Sequence, residues 1–202
     1  MNLNIGYLSS LFIGTYLIAA IPFGIVIARL KGINLRTVGS GNIGATNVYR
    51  ALGWRYALGV FLLDGFKGWL PTFLIIQWES VTWLHITIGF IAIIGHSFSC
   101  FVKFKGGKGA ATGIGVILAL SPKICCIVIL IAFGLIFWKR YVSLATIVCS
   151  LITPALFYYF KYPIPYTLFL LLISVFIIVR HQANIIRLIR GTENKIWQIN
   201  YS

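Results

Sequence analysis

Long apolar runs fill this chain, and most of its polar residues are gathered into short clusters between them. The runs cover roughly Leu3 to Ala28, Tyr56 to Trp78, Val81 to Phe101, Ala110 to Trp138, Tyr141 to Phe160 and Pro165 to Val179. Most reach the roughly 20 helical residues needed to cross a hydrocarbon core of about 30 Å, so they predict membrane-crossing helices. The first run has no basic stretch ahead of it and meets its first charge at Arg29, which predicts a retained helix and not a cleaved leader. The run from Ala110 is too long for one ordinary crossing and carries Ser121-Pro122-Lys123 in its middle, where proline ends or bends a helix. Split there, the chain has seven crossings. Ala110 to Leu120 would span only about 16 Å as a helix, so that crossing is expected to be short or re-entrant. No repeat or linker divides the chain, and residues 1–202 are expected to form a single domain.

Composition points to the same solvent. Apolar residues make up 59% of the chain and charged residues 10%, a poor match to a water-soluble core. Seventeen Lys and Arg face three acids, Asp64, Glu79 and Glu193, for a net charge of +14. Acids so few and so far apart in sequence argue against paired-carboxylate hydrolysis and against a two-metal site, and no metal or other cofactor is expected. In a chain this apolar, basic residues mark cytoplasmic loops and not a nucleic-acid partner. With seven crossings, the clusters at 29–55, 103–108, 139–140 and 180–195 fall on one side, leaving only Lys67, Lys123 and Lys161 elsewhere. The expected fold class is therefore an all-α integral membrane protein with its amino terminus outside and its carboxyl terminus cytoplasmic.

Several single residues carry expectations of their own. Asp64 and Lys67, three apart within an apolar run, predict a structural ion pair. His85 is expected at the interface, and His96 is placed to orient the polar loop after it. Cys100, Cys125, Cys126 and Cys149 lack Cys-x-x-Cys spacing and are expected to be buried, inert thiols. Trp54, Tyr56, Trp78, Trp83, Trp138 and Tyr141, near the ends of runs, predict aromatic belts.

Three clusters hold the candidate chemistry. In Lys105-Gly106-Gly107-Lys108-Gly109, glycines allow backbone N–H groups to converge on an anion at a helix start, and two lysines add positive potential. This suits a phosphate, although a solvated basic turn would carry the same residues. It is not a Walker A loop: Val102 occupies the early glycine position and Gly109 follows the lysine where a hydroxyl should bind magnesium. In the first cluster, Ser40, Asn42, Thr46 and Asn47 supply neutral donors and acceptors and Arg50 a planar fork suited to phosphate. The same stretch could be a turn with Ser40 capping a helix that runs through Arg50, and both readings can hold together. In the third, His181, Asn184 and Arg187 recur every three residues and would share one face of a helix leaving the membrane. A histidine there could equally make an interfacial hydrogen bond.

These segments resemble the bacterial membrane acyl-phosphate:glycerol-3-phosphate acyltransferases, the PlsY family. The match lies in Val38-Gly-Ser-Gly-Asn-Ile-Gly-Ala-Thr-Asn-Val-Tyr-Arg50, in Gly95-His96 through Phe104-Lys-Gly-Gly-Lys-Gly109, and in His181-Gln-Ala-Asn-Ile-Ile-Arg-Leu188 with Gly191 and Glu193. Order, spacing and apolar surroundings match as well, over essentially the whole chain. The resemblance implies transfer of a fatty acyl group from acyl phosphate to the 1-hydroxyl of glycerol 3-phosphate, giving lysophosphatidic acid for phospholipid synthesis. It also implies seven crossings in the bacterial cytoplasmic (inner) membrane, a site at the cytoplasmic face, and a functional link to an enzyme that makes acyl phosphate. By motif position, Ser40 and Arg50 resemble the family's catalytic and substrate-contacting residues. Thr46, Gly106, Gly107 and Lys108 resemble its phosphate-binding elements, and His181 and Asn184 its third-motif polar pair. Two departures stand out: Ser99 where the family has proline, expected to change only loop stiffness, and Gln182-Ala183 where it has Arg-Glu.

Taken together, Ser40, Arg50, Lys108, His181 and Asn184 are the expected catalytic residues. Asn42, Thr46, Asn47, Lys105, Gly106, Gly107 and Gly109 are the expected substrate and phosphate contacts. Two alternatives stand beside this reading: a membrane transporter of a small organic anion, and an acyltransferase fed by acyl-CoA or acyl carrier protein. A transporter should carry polar groups along a path or inverted repeats, whereas this chain concentrates polarity at one face. The His-x-x-x-x-Asp signature of the common glycerolipid acyltransferases is absent.

Overall fold

The computed structural model describes residues 4–196, and every regular element within them is helical. The chain forms two compact units, one up to Leu120 and one from Ser121. The first holds α1 (Ile5–Ala20), α2 (Phe23–Leu30), α3 (Ala45–Leu52), α4 (Trp54–Trp78), α5 (Thr82–Ser97), a single 3-10 turn at Cys100–Val102 and α6 (Ala110–Leu120). The second holds α7 (Pro122–Lys139), α8 (Val142–Tyr159), α9 (Ile164–Arg180) and α10 (Gln182–Ile189).

Among the described residues, five stretches are long and apolar enough to cross a bilayer: Ile5–Leu30, Trp54–Trp78, Thr82–Val102, Pro122–Lys139 and Val142–Tyr159. The pair α9 and α10, bent by 63° between Arg180 and Gln182, makes a sixth if taken as one span. Many large apolar side chains on these helices, among them Leu62, Phe66, Leu130, Phe137 and Leu172, are exposed on the protein surface, which suits a helix solvated by lipid. Trp54, Trp78, Trp83 and Trp138 are exposed at or next to helix ends, as an aromatic belt requires.

The long run from Ala110 is cut where the sequence predicts. Leu120 ends α6, Ser121 accepts a hydrogen bond from the Ile124 N–H at 3.2 Å as the N-cap of α7, and Pro122 takes the first helical position. At only 11 residues, α6 owes its place to α4, against which glycines allow backbone to approach backbone. A Cβ on Gly115 would lie 1.9 Å from the Gly65 carbonyl oxygen, and one on Gly68 would lie 2.3 Å from that of Thr112.

The break between α1 and α2 follows from Pro22, which has no N–H to continue the helix. Carbonyls at the break take side-chain donors instead: Ser99 Oγ donates to Ala20 O at 2.5 Å and Lys67 Nζ to Ile21 O at 2.7 Å. Ser99 in place of proline thus does more than alter loop stiffness, because it adds a hydrogen bond that proline could not make. Lys67 also pairs with Asp64 at 2.8 Å, so the expected ion pair is present and both partners are buried.

Two single-residue expectations are refined. His85 lies by the α4–α5 loop as expected, but it is buried, with Nε2 2.6 Å from Glu79 O. Cys125 and Cys149 are buried, whereas Cys100 and Cys126 are exposed. Apolar neighbours in sequence do not bury a residue when a lipid-facing helix surface is itself apolar.

The α4–α6 contact gives a direct test. Gly115→Ala should destabilise the protein by about 1–3 kcal/mol, the usual cost of overpacking a tight interface, and lower its thermal midpoint in detergent. Gly134→Ala, on α7 with nothing within 4 Å of the added carbon, should leave the midpoint unchanged or slightly raised.

Candidate functional site

The first polar cluster is a loop between α2 and α3 whose shape is fixed from beneath. The α2 helix ends in a Schellman motif, with Gly32 in the left-handed conformation, its N–H bonded to Arg29 O and the Ile33 N–H to Ala28 O. Leu35, Ile43 and Val48 then bury themselves with Ile25, Ala28 and Val60. Gly24 on α2 lets Ile43 approach, since a Cβ there would lie 1.9 Å from Ile43 O. Asn47 holds the loop from inside: Oδ1 accepts the Ser40 N–H at 2.9 Å, and Nδ2 donates to Leu35 O at 3.1 Å and Val38 O at 3.0 Å.

That geometry revises two expectations. Asn47 was expected to contact substrate, but it is 1% exposed and its amide oxygen and both amide protons are engaged by its own loop. It is a positioning residue. Ser40 was offered as a helix cap, yet α3 starts at Ala45 with Gly44 as N-cap, and Ser40 sits exposed in the loop. Asn42, Thr46 and Arg50 are half-buried, and the Arg50 stem runs beside Gly39.

The second cluster follows α5. Lys103 and Phe104 both adopt the left-handed conformation, and the N–H groups of Val102 and Phe104 return to Ser99 O. The N–H of Gly106 then donates to Ser97 O and that of Gly107 to His96 O, each at 3.1 Å. These two amides were expected to face an anion, and they are turned instead onto the carboxyl end of α5. The reason for glycine is close approach: a Cβ on Gly106 would lie 2.1 Å from His96 O. Gly109, at φ 83°, turns the chain into α6, so the helix starts two residues after Lys108. Lys105 is exposed and Lys108 half-buried.

One contact joins the two loops. Arg36 Nη2 donates to Lys105 O at 2.6 Å, clasping the 33–44 loop to the 103–109 loop. Arg36 was not among the expected site residues. Its spacing gave no signal, because the partner is a backbone carbonyl far along the chain.

The third cluster lies in the second unit. The helix expected to carry His181, Asn184 and Arg187 on one face is broken: α9 ends at Arg180 and His181 stands at the bend. The His181 ring turns back, with Nδ1 2.8 Å from Ile177 O, which makes Nε2 the basic nitrogen of the neutral ring. Asn184 and Arg187 do share a face, and they meet on Glu193. A Schellman motif delivers that carboxylate: Gly191 is left-handed, its N–H bonds Leu188 O, and the Thr192 N–H bonds Arg187 O. Glu193 Oε1 accepts from Asn184 Nδ2 at 2.7 Å and from Ser143 Oγ at 2.8 Å, and Oε2 pairs with Arg187 Nε at 2.7 Å. Glu193 and Ser143 were absent from the expected site, although the Gly-Thr-Glu that follows the helix is a readable C-cap signal.

Burial by itself would raise the Glu193 carboxyl. The hydrogen bonds from Asn184, Ser143 and Arg187, with the Arg187 charge, outweigh it and hold the group below the ordinary glutamate value. A depressed folded value means that the cluster stabilises fully above the unfolded pKa, near 4.3, and loses that contribution as pH falls through the folded value. Glu193→Gln should therefore lower the thermal midpoint at about pH 7, and the gap to wild type should narrow toward about pH 3. A gap independent of pH would show that the charge of Glu193 contributes nothing.

Comparison with known proteins agrees with the arrangement of these segments. A family model described as glycerol-3-phosphate acyltransferase matches residues 9–191. A glycerol-3-phosphate acyltransferase of Aquifex aeolicus is 42% identical over 186 residues, covering 92% of this chain and 97% of that protein. A crystal structure of PlsY, an integral membrane glycerol 3-phosphate acyltransferase, in its glycerol 3-phosphate form, superposes with a TM-score of 0.89 at 42% identity, covering 92% of this chain and 93% of that one. The lysophosphatidic acid form of PlsY gives 0.87 at 41% identity over the same shares. With its apolar helices, this chain is a multi-pass integral membrane protein, and it belongs to the glycerol-3-phosphate acyltransferase family.

Proposed function

We infer that this protein is the acyltransferase that converts glycerol 3-phosphate to lysophosphatidic acid, and that acyl phosphate is its acyl donor. The observation that carries the reading is the likeness, along nearly the whole chain, to an enzyme solved in both its glycerol 3-phosphate and lysophosphatidic acid forms. Membership of an acyltransferase family removes the anion-transporter alternative.

The chemistry suits the residues. An acyl phosphate is already activated: the 1-hydroxyl of glycerol 3-phosphate attacks the acyl carbon, the carbon–oxygen bond to phosphate breaks, and inorganic phosphate leaves. Charge develops on that leaving group, and fixed positive groups stabilise it more as the reaction proceeds than before it. Arg50 and Lys108 are assigned to neutralise substrate phosphates, with Ser40, Asn42, Thr46 and Lys105 supplying further polar contacts and Gly109 opening the α6 start to them. Holding hydroxyl and acyl carbon together supplies a proximity gain. Transfer is direct, without an acyl enzyme. The hydroxyl proton is assigned either to His181 Nε2 or to a substrate phosphate oxygen, and Asn184 to holding the Glu193 carboxylate.

In the same reading the chain crosses the bacterial cytoplasmic membrane seven times, counting α6. Its amino terminus is outside, its carboxyl terminus cytoplasmic, and its chemistry at the cytoplasmic face. The distribution of basic residues supports that orientation. An enzyme that makes acyl phosphate is the expected functional neighbour.

Purified protein supplied with glycerol 3-phosphate should form lysophosphatidic acid from palmitoyl phosphate and not from palmitoyl-CoA or acylated carrier protein. Arg50→Ala and Lys108→Ala, shown to be folded, should each lose activity by about 100-fold or more. Product from palmitoyl-CoA or acylated carrier protein alone would overturn the donor, and an acyl adduct trapped on Ser40 would overturn direct transfer. A pH–rate profile that keeps its shape in His181→Ala would assign the proton to phosphate.

A further inference from the structure

We propose that His96, whose ring faces Asp64, is a positioning residue for the Lys105–Gly109 loop: its imidazole is the floor on which Gly107 rests, and it thereby sets where Lys108 stands. The inference rests on the functional reading above and concerns residues of the first unit alone. His96 is 5% exposed and Asp64 2% exposed. His96 Nδ1 lies 3.7 Å from Asp64 Oδ1, the same oxygen that Lys67 Nζ approaches to 2.8 Å. Lys67 is in turn fixed to Ile21 O at 2.7 Å, so the carboxylate facing the imidazole is anchored to a rigid part of the fold.

The opposite edge of the ring lies under the loop. A Cβ on Gly107 would fall 2.1 Å from His96 Nε2 and 2.8 Å from its Cε1, and the three nearest atoms it would meet all belong to this ring. Gly107 is not in the left-handed region, so alanine is compatible with its backbone, and the ring is what demands glycine there. Gly106 differs, because its added carbon would meet the backbone carbonyls of His96 and Ser97, which no side-chain change can remove. The main chain of His96 completes the seat by accepting the Gly107 N–H. A loop fixed by two contacts to one residue moves with that residue, and Lys108 follows directly after it.

The test is a size exchange. Full-length protein in detergent is assayed with glycerol 3-phosphate and palmitoyl phosphate, beside its thermal midpoint, for Gly107→Ala, His96→Ala, the double variant, and Gly106→Ala with and without His96→Ala. Gly107→Ala should lower kcat/KM by at least about tenfold, mostly through KM, as expected for a displaced binding loop. Adding His96→Ala should recover at least about threefold of that loss, because touching residues couple strongly. Gly106→Ala should not be recovered. His96→Asn keeps a donor toward Asp64 while withdrawing the ring edge, and it replaces His96→Ala if that variant fails to fold. Losses that simply multiply in the double variant, or equal recovery of Gly106→Ala, would overturn the proposal. Wild-type protein that makes no lysophosphatidic acid would sink the functional reading and the catalytic consequence together. The thermal midpoints then judge the contact, which stands only if truncating His96 raises the midpoint of Gly107→Ala.

Discussion

A buried charge pair sits where the first unit is pinned together. Asp64 and Lys67 lie one helical turn apart on α4, in a stretch long and apolar enough to span a membrane, where an unpaired charge is costly. Pairing alone does not satisfy them. The ammonium also donates to Ile21 O at the break between α1 and α2 and lies over the Phe23 ring, while the carboxylate faces His96 at the end of α5. Removing one partner of such a pair generally costs more than the pair contributes, because the other charge is left stranded. Four helices are therefore registered against a single point, and the loop that follows α5 inherits that register.

From this point outward, glycine decides how closely segments approach. Gly68 and Gly115 let α6 lie against α4 at backbone distance, which positions a helix too short to owe its place to the bilayer alone. Gly24 lets the first loop sit on α2, and Gly106 and Gly107 let the second loop sit on the end of α5. The polar loops are consequently held by the same close packing as the helices, and the Arg36–Lys105 hydrogen bond then locks one to the other. Rigid support of this kind is what a binding loop needs, since displacement by about 1 Å can cost about 100-fold in rate.

The second unit reaches order by a different route. Its helices present much of their surface to lipid, and its polar organisation gathers at Glu193, which collects Ser143 from α8 and Asn184 and Arg187 from α10. Two residues before it, Gly191 reverses the chain and returns the carboxylate to the helix it has just left. A short helix with a strongly polar face is weak by itself, and this reversal supplies the partners that its side chains require.

The sequence by itself determined that the fold is helical and membrane-embedded, where the long apolar helices lie apart from the breaks at Pro22 and His181, that Pro122 divides the long run, that Asp64 pairs with Lys67, and which three segments gather polar residues. Those features are local: run length, a missing amide hydrogen, helical spacing and the cost of charge in lipid each act within a few residues. Tertiary structure alone decided what each polar residue does. Asn47 looks like a ligand in sequence and is a loop brace, and the Gly106 and Gly107 amides look like an anion cradle and are turned to α5. Arg36 and Ser143 gave no signal of their roles, and Glu193 was legible only as part of a helix C-cap. A hydrogen-bonding group must find a partner when buried, but its residue type does not say whether that partner will be substrate, side chain or distant backbone. Only the packing of segments far apart in the chain settles that choice.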